Sequence, residues 1–161
     1  MVVLGCGGFG FGMAASLRRE IRILTSLRQV LEQLESELDY RQTPLPGLCS
    51  IASQICTGAL KQVFRELSEE LQQQRSPDAA SCMEVALGKG KELPQSAEGI
   101  LRMLGRSLGC FDLAGQLKEI AAVKRECDIT LETLRQRREE RLRSYQTLGL
   151  CAGAALAILL I

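Results

Sequence analysis

The chain has 161 residues, enough for one domain or one domain with anchors, and a formal net charge of only +1. That balance lacks the basic excess a nucleic-acid binder carries on one face, so no nucleic-acid partner is expected. With no histidine, Ser-His and Cys-His catalytic arrangements are excluded, and any zinc site would need cysteine alone.

The charges stop short of both ends. Arg18 is the first and Arg143 the last, so residues 1–17 and 144–161 carry none. As helices those ends would span roughly 26–27 Å, against a bilayer core of ~30 Å. Both are short for a span but workable with local thinning and arginine snorkelling, and Tyr145 stands where an interfacial aromatic would anchor. We therefore expect anchors at 1–17 and 144–161 and a helical domain over 18–143. A signal or processed segment, despite the missing positive n-region, and a buried or frayed helix are the competing readings of the first end. Arg18, Arg19 and Arg22 follow the first anchor, and Arg135, Arg137, Arg138, Arg141 and Arg143 precede the second. The positive-inside rule then puts the domain in the cytoplasm and both termini across the membrane.

After the first anchor, Leu24, Leu27, Leu31, Leu34 and Leu38 recur at intervals of three and four and predict one apolar face on a long helix ending near Tyr40. Thr43-Pro44-Leu45-Pro46 breaks it. A second helix places Leu48, Ile51, Ala52 and Ile55 on one face and closes at Gly58. A third runs from Ala59 to Gln74 with Leu60, Val63, Phe64, Leu67 and Leu71 inside. Ser76-Pro77-Asp78 reads as the cap and first turn of a fourth, which carries Cys82, Val85, Ala86 and Leu87 and ends at Gly88. Gly88-Lys89-Gly90-Lys91 reads as a loop; it lacks the spacing and preceding strand of a phosphate-binding loop. Ser96 is placed to cap a fifth helix with Ile100, Leu101 and Leu104 apolar. Gly105 and Gly109 are expected to close it, and Asp112 to cap the last. From Leu113 through Leu117, Ile120, Val123, Cys127, Leu131, Leu134, Leu142 and Tyr145 the three/four spacing runs without a proline to the end.

No strand alternation is visible. The expected fold is all-α: a six-helix bundle whose long first and last helices are antiparallel neighbours and continue into the N- and C-terminal transmembrane segments. The seven cysteines (Cys6, Cys49, Cys56, Cys82, Cys110, Cys127, Cys151) form no CxxC pair and read as small core or lipid-facing residues. Carboxylate runs such as Glu35, Glu37 and Asp39, Glu69-Glu70 and Glu139-Glu140 read as solvated helix faces. No catalytic, cofactor or metal residue emerges, and nothing in the sequence looks like an active site. A small membrane enzyme, a small-molecule-binding helical module and a membrane-associated or self-associating helical adaptor are the competing classes.

Two corners are compact and distinctive: LESELDYRQTPLP from Leu34 and LGRSLGCFDLAGQL from Leu104. Here the chain resembles the stage III sporulation protein AB family of endospore-forming bacteria, whose corners look like LExEIxYxxTPLxxA and LGxxLGxSDxxxQ. The first keeps Glu35, Glu37, Tyr40, Thr43, Pro44 and Leu45, and the second Leu104, Gly105, Leu108, Gly109, Asp112 and Gln116. Leu38, Arg41, Gly47-Leu48 and Phe111 depart from the pattern. The resemblance implies a membrane component of the secretion-like channel joining mother cell and forespore, with a mechanical and organisational role and no enzymatic one. Its helical domain would be similar to the cytoplasmic domain of type II secretion platform proteins and would sit beside a stage III sporulation protein AA-type ATPase and other membrane components of the complex. Self-association of the chain stays open. On that reading Arg41, Gln42, Asp112 and Gln116 are candidate partner contacts, with capping and corner packing as the alternative, and acidic Glu35, Glu37 and Asp39 could face a basic patch on the ATPase.

Overall fold

In the computed structural model the backbone is described for residues 3–89, 93–109 and 112–160, and the side chains for 15–89, 93–109 and 112–140. Six helices occupy almost all of it: α1 (Val3–Arg41), α2 (Leu45–Ile55), α3 (Gly58–Gln73), α4 (Ala79–Lys89), α5 (Gln95–Ser107) and α6 (Leu113–Leu160). Each packs on its chain neighbours, and α1 lies along α6, closing the ring of contacts. The expected anchors fall almost wholly outside the residues whose side chains are described. Among the described residues, no helix is long and apolar enough to cross a membrane.

The α1–α6 pair is the spine. Leu24, Leu27, Leu31, Leu34 and Leu38 are buried, as their spacing requires, and so are Ile120, Val123, Cys127, Leu131 and Leu134 opposite them. Its register is fixed by three cross-links: Arg28 Nε donates to Asp128 Oδ1 at 2.6 Å, Lys124 Nζ pairs with Glu35, and the Cys127 thiol reaches the Leu24 carbonyl. Leu113 is a third exposed, and Leu117 is only partly buried against the core.

Several local expectations are corrected. Gly58 does not end α2; that helix closes at Ile55, and Gly58 opens α3 with φ +63°, a turn that reverses the chain within residues 56–58. The buried face of this segment is Leu48, Cys49, Ala52 and Cys56 rather than the expected one, with Ile55 46% exposed. Asp78, not Ser76, caps α4, accepting the Ser81 amide at 2.9 Å. Ser96 lies inside α5 and donates to Glu20 of α1 at 2.5 Å; Pro94 precedes the helix instead. Lys89 belongs to α4 rather than to a loop. Its ammonium bonds Glu70 at 2.6 Å, and its carbonyl accepts the Gln62 amide.

That ion pair also corrects the reading of Glu69-Glu70 as a solvated run, since Glu70 is 4% exposed. Hydrogen bonding by Lys89 holds the Glu70 carboxyl below its ordinary value, against the opposing pull of burial. Gly105 is not a helix stop but lies within α5, where a Cβ would stand 2.6 Å from Met83 Cβ. Its absent side chain lets α5 lie against α4. Cys49, Cys56, Cys82 and Cys127 are buried free thiols, and Cys6, Cys110 and Cys151 fall outside the described side chains.

Candidate functional site

Alternating helices bring three connections to one end of the bundle: residues 42–44, residues 74–78, and Leu108, Gly109 and Asp112 between α5 and α6. Leu45 is their common point. It lines one cleft of about 360 Å³ with Leu38, Gln42, Thr43, Leu113 and Gln116. It also lines a second of about 380 Å³ with Gln74, Asp78, Cys82, Leu108 and Gly109. Gly109, at φ +80°, is pressed so close to Leu45 that a Cβ there would lie 3.2 Å from Leu45 Cδ1. The two distinctive corners of the sequence are thus adjacent in space. They are joined through one leucine, with a third corner beside them that sequence reading passed over.

Of the seven candidate contact residues, Gln42 and Gln116 share the first cleft. Gln42 follows α1 with φ 48°, a left-handed conformation that glycine usually takes. Asp112 caps α6 by accepting the Gly115 amide at 3.0 Å. Arg41 is 73% exposed in its side chain and stands 3.6 Å from Glu37 one turn back.

The acidic run does not present one face. Glu35 points to α6 and pairs with Lys124, which no local pattern could have linked across that separation. Glu37 turns inward: its Oε1 accepts the Gln33 amide at 3.2 Å, while its Oε2 is shut from solvent with no hydrogen-bond donor. The Arg41 guanidinium lies within ion-pair reach of that oxygen but beyond hydrogen-bond distance. Asp39 is exposed and lines a shallow cleft of about 410 Å³ with Tyr40, Glu35, Leu117 and Lys124. Tyr40, 84% exposed, is the most exposed large hydrophobic residue described. The sequence offered its position in the corner but no sign of its exposure.

The described cysteines are not poised as nucleophiles. Burial pushes the Cys49 and Cys56 thiols up to about 12 and Cys127 to about 11, far from thiolate at neutral pH. Among the described residues, no three Cys, Asp or Glu side chains converge as metal ligands would.

Comparison with known proteins agrees with the corner motifs. The model of the family described as stage III sporulation protein AB matches residues 1–161. Stage III sporulation protein AB of Bacillus subtilis (strain 168) is 26% identical over 99% of this chain and 94% of its own length. A solved structure of a stage III sporulation protein AB superposes with a TM-score of 0.66 at 23% identity, covering 76% of this chain and 98% of that one.

Proposed function

The chain belongs to the stage III sporulation protein AB family, and from that premise we propose that it is a membrane-anchored platform component of the sporulation channel joining mother cell and forespore. Residues 1–17 and 144–161 anchor it in the mother-cell membrane, and the bundle lies in the cytoplasm. Its three-corner end contacts the complex's AA-type ATPase. The observation that carries this reading is the gathering of both distinctive corners, through Leu45, at the bundle end opposite the terminal segments of α1 and α6. A rigid bundle with its contact residues farthest from the anchors is suited to transmit force or position, not to turn over a substrate.

The test is capture of the ATPase by the full-length chain, with variants chosen so that unfolding cannot imitate lost contact. Gln42→Gly relieves a left-handed residue, so it should leave the bundle at least as stable. Asp39→Lys reverses an exposed charge with no ion pair described. Reduced capture by both, with unchanged melting, supports the reading, and unchanged capture by both refutes the corner contact. Reversing Glu35 is the poorer experiment, because it would set two cations together at Lys124. Protease access to a tag near Gly90 tests the topology: a tag exposed on the outer side, away from the mother-cell cytoplasm, refutes the cytoplasmic placement.

A further inference from the structure

The opposite end of the bundle carries its own chemistry. Arg28 and Asp128 are paired across the antiparallel α1–α6 spine. Ten residues back along α1 stands Arg18, and ten forward along α6 stands Arg138, each ~15 Å along the helix from that pair. Arg18 and Arg22 therefore lie at the level of Arg135, Arg137 and Arg138, and all five are exposed.

Elsewhere seven cations, Arg28, Arg41, Arg65, Arg75, Lys89, Arg102 and Lys124, stand in ion pairs, and the unpaired Lys61, Arg106, Lys118 and Arg125 are distributed over α3, α5 and α6 rather than gathered at one level. Among the described residues, Arg18, Arg22, Arg135, Arg137 and Arg138 have no such partner.

The acidic groups at this level are Glu20, Glu132, Glu139 and Glu140. Glu20 accepts the Ser96 hydroxyl, and an excess of two positive charges remains over 15–22 and 132–140. Residues 135–140 of α6 include no apolar side chain and are exposed all round, and no described residue covers them. A cleft of about 490 Å³, lined by Ser16, Arg19, Glu20, Arg22 and Leu93, opens at the same level.

We infer that this arginine belt is a docking surface for the anionic headgroups of the membrane, holding the base of the bundle against the bilayer with the corner end pointing away. Arginine's planar fork suits phosphate oxygens, and an anionic leaflet supplies the complementary field within a Debye length. The geometry rests on the membrane-anchored reading above.

The test uses the full-length chain in nanodiscs of phosphatidylcholine, with and without phosphatidylglycerol, and follows amide exchange over 15–22 and 135–140. Exchange in both segments should slow about fivefold or more in the anionic discs, and the difference should vanish near 1 M salt or when the five arginines are changed to glutamine. A chain that enters both discs with the same exchange in each overturns the inference and leaves the anchoring intact. A chain that enters neither, yet slows on phosphatidylglycerol vesicles, keeps the belt and overturns the anchoring. Equal slowing by free glycerophosphate at matched phosphate concentration overturns the membrane as the occupant.

Discussion

The close approach of α5 to α4 gives a sharp prediction, because two glycines of one helix sit in opposite surroundings. Gly99 and Gly105 both lie within α5. A Cβ on Gly99 would meet nothing within 4 Å, whereas one on Gly105 would lie 2.6 Å from Met83 Cβ, 3.0 Å from its Cγ and 3.5 Å from the Ala79 carbonyl oxygen. Alanine should stabilise an unconstrained helix interior by up to ~1 kcal/mol over glycine, so Gly99→Ala should raise the melting temperature. Gly105→Ala makes the same propensity gain but forces two Cβ atoms apart. Neither is the far end of a flexible side chain, so the helices themselves must separate around Cys82, Met83, Leu101 and Leu104, all buried. Overpacking of that kind costs ~1–3 kcal/mol, which outweighs the propensity gain over most of its range. The two variants should differ by about 1–3 kcal/mol, or roughly 3–10 °C in a domain of this size. Thermal unfolding of the full-length chain, followed by circular dichroism at 222 nm, reads the difference directly. Met83→Ala should not rescue Gly105→Ala, since alanine keeps the offending Cβ. If Gly105→Ala melts at or above Gly99→Ala, the close-packed α4–α5 crossing is wrong.

Leu31→Ala, at a fully buried spine position, should cost ~2–5 kcal/mol in denaturant unfolding, whereas half-buried Leu117→Ala should cost only ~1–2 kcal/mol. Asp112→Ala should cost ~1 kcal/mol by removing the α6 cap, and Asp112→Asn should restore most of it if capping is the residue's whole role. Because Lys89 holds Glu70 below its ordinary 4.5, the stabilisation from that pair is fully present above that value and lost as pH falls through the lower folded value. Glu70→Gln should therefore lose stability at neutral pH and show a flatter decline on acidification; an unchanged acid limb would remove the linkage. Cys49 and Cys56, held near 12, should resist alkylation at pH 8 until the bundle unfolds, which mass spectrometry of the labelled chain can follow.

The helical class and the six elements could be read from the sequence because each amphipathic stripe is a local property. The three/four spacing of leucines in α1 and α6 needs only helical geometry to become a buried face. Helix boundaries were less accessible. Gly58 is a reasonable stop by composition, yet it starts α3, because a positive φ serves a two-residue reversal as well as a helix end. Gly105 looked like punctuation and proved to be clearance for Met83, a demand set by a residue in another helix.

The candidate site divides in the same way. Composition and spacing by themselves determined an all-α chain with charge-free ends, two arginine clusters inside them, and two compact corners whose residues mark the family. Those are one-dimensional facts, fixed by which side chains are present and how far apart they stand. Only the tertiary structure decided that Leu45 joins both corners to a third, that Glu35 is spent on Lys124 while Glu37 turns inward, and that Arg18 and Arg138 stand at one level. Each depends on the antiparallel register of α1 on α6 or on chain reversals between helices. The free energy of that register comes from burying leucines a hundred residues apart in sequence, so no local pattern carries it.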